Sequence, residues 1–150
     1  MSIAPSRNRI AMKKRTPASW LMQDSVKLKK LITALLADVR PAHAEEMHIN
    51  LDGIPAYLAV SANRDKVTAV LNRIITTMAL YMERIDLTIT AQLEEHIITI
   101  TFKGPHRPDV FGIGNQLQAV QPIMDEVGGY LSITSQQEED TTIVMGFPVV

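Results

Sequence analysis

Apolar residues at Ile85, Leu87, Ile89, Ala91 and Leu93 alternate strictly with polar ones, and the alternation resumes at Ile98, Ile100 and Phe102 after a Glu94-Glu95 break. A strand sends successive side chains to opposite faces, so this pattern predicts a β-hairpin with one buried face. Strands joined so tightly pair antiparallel, because a parallel pair needs a crossover of about a dozen residues. The C-terminal end repeats the arrangement. Tyr130 to Thr134 and Thr141 to Phe147 read as two strands joined by the acidic loop Gln136 to Asp140. Met47 to Leu51 also alternates, Asp52-Gly53 is a turn signal, and Ala56 to Val60 is a second short apolar run.

Three helical patterns separate these strand pairs. From Ser25, residues Leu28, Leu31, Ile32, Leu35, Leu36 and Val39 recur at the spacing that lines one helix face, until Pro41 interrupts. Asn63 is placed to cap a second helix, whose apolar stripe is Val67, Val70, Leu71, Ile74, Ile75, Met78, Tyr81 and Met82. Gly112 and Gly114 precede a third, carrying Leu117, Val120, Met124 and Val127 and ended by Gly128-Gly129. Pro122 removes one backbone N–H from it and should kink or delay it. Helices interleaved with antiparallel strand pairs predict an α+β chain: a two-layer sandwich, with a mixed sheet and three main helices on one face.

The 150 residues suit one domain, and 46% hydrophobic against 21% charged residues excludes a wholly disordered chain. There is no Cys, which excludes disulfide scaffolds, thiol catalysis and iron–sulfur sites. No apolar run reaches the roughly 18 residues of a membrane span, and Met1 to Trp20 has no continuous apolar segment of the secretory type. A cytoplasmic location is expected. Charge is uneven: residues 1–30 hold eight Lys/Arg and one acid, residues 31–150 seven Lys/Arg and fifteen acids. Residues 1–19 read as a basic, mobile arm, and residues 20–150 as the folded domain.

Several strings resemble the ATP-binding domain of sensor histidine kinases, in the GHKL group. Gly112-Ile-Gly114-Asn-Gln-Leu117-Gln-Ala-Val120 is similar to the second glycine box, GxGLGLxxV. Gly128-Gly129-Tyr-Leu resembles the "hGGxl" ending, and Asp140 to Pro148 the closing "GTxFxxxLP". Asp65 to Tyr81 resembles the N-box helix, "D…vlxNLlxNAxky".

The departures from that pattern bear on function. The resemblance implies two Asn four residues apart on the N-box helix, the second a magnesium ligand. Asn72 stands at the first position and Thr76 at the second, and a hydroxyl is a poorer ligand than an amide carbonyl. The first glycine box, DxGxG, aligns with Phe102-Lys-Gly104-Pro-His106. Phe102 cannot accept the adenine hydrogen bond implied for the Asp, and its ring is expected to fill the base pocket. Gln116 replaces the third Gly of the second box, and the lid is reduced to about Asp109-Val-Phe111. Asn72, Thr76, Phe102, Gly104, Gly112, Gly114 and Gln116 thus read as a vestigial nucleotide site, with no cofactor and no metal expected.

His43, Glu45, Glu46 and His48 are metal-ligand residue types, but a spacing of five does not bring both His to one helix face. His96 and His106 read as surface turn residues, and no Ser/His/Asp or paired-carboxylate arrangement follows from spacing. Arg15-Thr16-Pro17 echoes the tail of a kinase phosphoacceptor box, yet Met12 stands where the His belongs.

The expected function is a non-catalytic, histidine-kinase-like module that binds protein in bacterial signalling, with a histidine kinase, a response regulator or a second copy as partner. The alternatives are a divergent ATP-binding kinase of the sensor or anti-sigma type, and a nucleic-acid-associated factor using the basic arm. The partner surface is expected at Val110, Phe111 and Ile113, an exposed apolar patch, with Leu117 in the core. The competing arrangement folds these residues into the vacated pocket.

Overall fold

The structure, a computed structural model, describes residues 25–39, 47–60, 63–81, 85–104, 110–135 and 141–149. The basic arm, the segment holding His43, Glu45 and Glu46, and His106 lie outside the described residues. So does the acidic loop 136–140.

The alternating segments form the sheet. Strands β2 (Met47–Asn50), β4 (Ile85–Glu94), β5 (Ile97–Gly104), β6 (Tyr130–Ser135) and β7 (Thr141–Pro148) are ordered β2-β4-β5-β7-β6. β2 runs parallel to β4 and all other pairs are antiparallel. The β4–β5 hairpin turns at Glu95, whose φ of 58° lies in the left-handed region. Asn50 Oδ1 accepts a hydrogen bond from the Asp52 N–H at 2.9 Å, which fixes the turn after β2.

Register sets the core. Phe102 on β5 lies opposite Ile89 on one side and Ile143 on the other. All three are fully buried, together with Leu87, Ile98, Ile100 and Met145. The intervening residues, among them Asp86, Thr88, Gln92 and Lys103, are exposed on the opposite face. Helices therefore cover one face only, as a two-layer sandwich requires. Each fully buried aliphatic or aromatic side chain contributes about 1.5–3 kcal/mol of transfer free energy.

Two helices follow their predicted stripes. α1 spans Leu28–Ala37 and α2 spans Arg64–Tyr81. α1 begins later than its periodicity suggests, because Val26–Lys27 form a short strand, β1, paired antiparallel with β3 (Ala59–Val60). The run Ala56 to Val60 thus supplies only two strand residues. Asn63, at φ 59°, opens α2 by accepting the Val67 N–H on its backbone carbonyl at 2.9 Å.

The third helical pattern is two helices, α3 (Val110–Gln118) and α4 (Gln121–Val127). The break falls where Pro122 stands in the first turn of α4, the position that tolerates a missing N–H. Gly128, at φ 75°, closes α4 with its N–H on the Asp125 carbonyl. No helix of the described residues is long and apolar enough to cross a membrane.

Candidate functional site

The residues read as a vestigial nucleotide site do not converge. Asn72 and Thr76 lie one turn apart on α2 and line a groove of about 280 Å³. Its other walls are Leu35, Asp38 and Val39 at the end of α1, with Ala79 and Leu80 of α2. Gln116 sits elsewhere, on α3, where its Oε1 accepts a long hydrogen bond of 3.5 Å from Arg73 Nη1. Successive helix residues are about 100° apart, so Asn72 can turn toward α1 while Arg73 turns toward α3. Thr77, one turn beyond Arg73 on the same side, is buried at 3% exposure.

Asn72 and Thr76 thus face the groove at α1 and not Gln116. The four-apart pair on the side of the glycine-box helix is Arg73 and Thr77, not Asn72 and Thr76. Counting the motif string back from its closing tyrosine, Tyr81, gives the same register. That count is the signal in the sequence, which the adjacent Asn72 obscures.

Phe102 enters the core of the covered face and lines neither this groove nor the one beside α1 described below. Gly104 ends β5 opposite Thr141, which is 2% exposed. Gly112 and Gly114 do not precede the third helical pattern but lie inside α3. A helical Gly114 N–H is committed to the preceding turn. A Cβ on Gly114 would meet nothing within 4 Å, so the fold places no steric demand for glycine there.

The residues present do not fit a magnesium nucleotide in the manner the motif implies. Thr77, second of that pair, offers a hydroxyl in place of an amide carbonyl, a poorer ligand for a hard cation, and is 3% exposed. Phe102 offers no acceptor for an adenine amino group, and Gln116 is engaged by Arg73.

The expected apolar patch is also corrected. Ile113 is only 3% exposed and belongs to the core, as does Leu117 at 1%. The helix α3 begins at Val110 and carries Ile113 inward. The side chains of Val110 and Phe111 lie outside the described residues. Among the described residues, no group of three His, Asp or Glu is placed to hold a metal ion, and His48 and His96 are exposed.

No protein-family model matches the sequence, and no curated protein matches it. Solved structures match it in shape. The Acinetobacter baumannii histidine kinase AdeS is similar at a TM-score of 0.67 and 18% identity, over 83% of this chain and 66% of that one. The histidine kinase domain of the E. coli osmosensor EnvZ is similar at 0.59 and 14%, over 85% and 89%. Full-length ShkA in complex with AMPPNP is similar at 0.64 and 15%, over 83% of this chain but 31% of ShkA. The architecture is the α+β fold of histidine kinase catalytic domains, and at these identities the likeness is one of fold.

Proposed function

We propose that the chain is a histidine-kinase-like domain that has lost nucleotide chemistry and acts by binding protein in bacterial signalling. The observation that carries this reading is the Arg73–Gln116 contact between α2 and α3. It puts a guanidinium, which donates and cannot accept, at the first of the two positions where the motif implies Asn, with the buried hydroxyl of Thr77 at the metal-ligating second, and it fills with side chains the gap that glycine would leave open. Phe102, buried in the sheet core, supports it by removing the adenine acceptor. What such a domain retains is a rigid surface, suited to a histidine kinase, a response regulator or a second copy of itself.

A divergent ATP-binding kinase is the second reading, favoured by the fold shared with ShkA, whose structure holds AMPPNP. A calorimetric titration with Mg-ATP and Mg-ADP separates the two. The expected result is no isotherm at millimolar nucleotide, a binding free energy weaker than about 4 kcal/mol. A micromolar isotherm establishes the second reading instead.

A further inference from the structure

Helix α1 is thinly covered. Of its five large aliphatic residues only Leu28 and Ile32 are buried, while Leu31, Leu35 and Leu36 are half-buried. A second groove, of about 550 Å³, runs along it. Its apolar floor is Ala34, Ala37 and Ala56, all exposed to solvent, and the rest of its lining, its rim, is Lys27, Lys29, Lys30 and Thr33. Tyr57, the neighbour of Ala56, is 68% exposed.

The charge placement works against the helix itself. Lys27 is the N-cap and makes no side-chain cap bond, and the first turn holds no acid. Cations there oppose the positive end of the helix dipole. None of the three lysines is ion-paired among the described residues. A local rule broken without compensation among the described residues marks a surface shaped for a partner.

We infer that this groove docks an acidic amphipathic helix of a partner protein. The inference rests on the reading of the chain as a protein-binding module and names the chemistry of its partner. A helix whose apolar residues recur at i, i+3, i+4 and i+7 sets them on the alanine floor, where small residues permit close approach. Glutamates flanking that stripe meet the lysine rim, giving charge complementarity and a fast encounter.

The same features disfavour other occupants. Nucleic acid would use the lysines but leave the apolar floor bare and find no aromatic ring lining the groove on which to stack. A membrane surface needs protruding large apolar side chains, and the groove offers only alanine methyls. Residues 1–19 of this chain carry five cations and are repelled by the rim.

The test uses the full chain and a labelled synthetic peptide of about 18 residues, long enough to present four to five helical turns. It carries leucines at the stated spacing and glutamates elsewhere, and binding is read by fluorescence anisotropy. The expected result is saturable binding that weakens with added salt. Binding should fall about tenfold or more, the loss of one close charge pair or of the floor contact, in Lys27→Glu/Lys30→Glu and in Ala34→Gln. The charge-reversed variant should lose the peptide while melting no lower than wild type, because acids suit that helix end. Equal peptide binding by wild type and both variants overturns the inference. So does tighter binding of a lysine-for-glutamate peptide, a DNA duplex or anionic vesicles, or no peptide binding at all. These outcomes leave the nucleotide titration untouched, and a Mg-ATP isotherm overturns the underlying reading without bearing on the groove.

Discussion

Gly128-Gly129 and Gly114, all in the C-terminal half, have opposite structural standing. Gly128 holds φ 75° at the end of α4, and a Cβ on Gly129 would collide with the Gly146 carbonyl oxygen of β7 and lie 2.8 Å from Met124 Cε. Both glycines are demanded by the path of the chain from helix to edge strand. Gly114, in the string that resembles a phosphate box, faces open space in an ordinary helical conformation. One motif survives because the fold needs it. The other lies where the fold does not need it, on the helix whose Gln116 meets Arg73.

The contrast breaks hardest at Phe102. Phe102→Asp buries an unpaired carboxylate between Ile89 and Ile143 and should cost more than about 4 kcal/mol. A denaturation midpoint within experimental error of wild type would show that the ring is not core. The variant should gain no nucleotide affinity.

Gly129→Ala comes next, with an expected loss of about 3 kcal/mol, since strand backbone cannot yield as a side chain can. Gly114→Ala should go the other way and raise stability by about 0.5–1 kcal/mol, the helix preference for alanine. If thermal melting shows Gly114→Ala destabilised like Gly129→Ala, the two sites are not distinct. The smallest effect is expected at Lys66, whose Nζ lies 3.1 Å from Glu126 Oε2 across α2 and α4. Both side chains are about half exposed to solvent, so Lys66→Ala should cost less than about 0.5 kcal/mol, and less again at high salt.

The sheet was legible because its signal has period two and each strand carries several repeats of it. Residues 85–104 and 141–148 pair in the register their alternation implies. Pro122 was legible for the same kind of reason, since a missing N–H has few permitted places. β1 was not, because Val26–Lys27 are too short to show any period. Ile113 was misread since an apolar residue after a glycine suits a loop patch and a buried helix face equally. Which it becomes depends on where α3 begins, a tertiary outcome. The site fared worst. On a helix with neighbours on two sides, Asn72 and Arg73 differ by one step in sequence, yet one faces a groove at α1 and the other Gln116.

The proposed loss of nucleotide chemistry is tested most directly by amide chemical shifts of the labelled chain under titration with Mg-ATP. The predicted result is that the Gly104, Gly114, Gln116, Arg73 and Thr77 amides stay in place to millimolar nucleotide. Saturable, micromolar shifts confined to those five residues would contradict it.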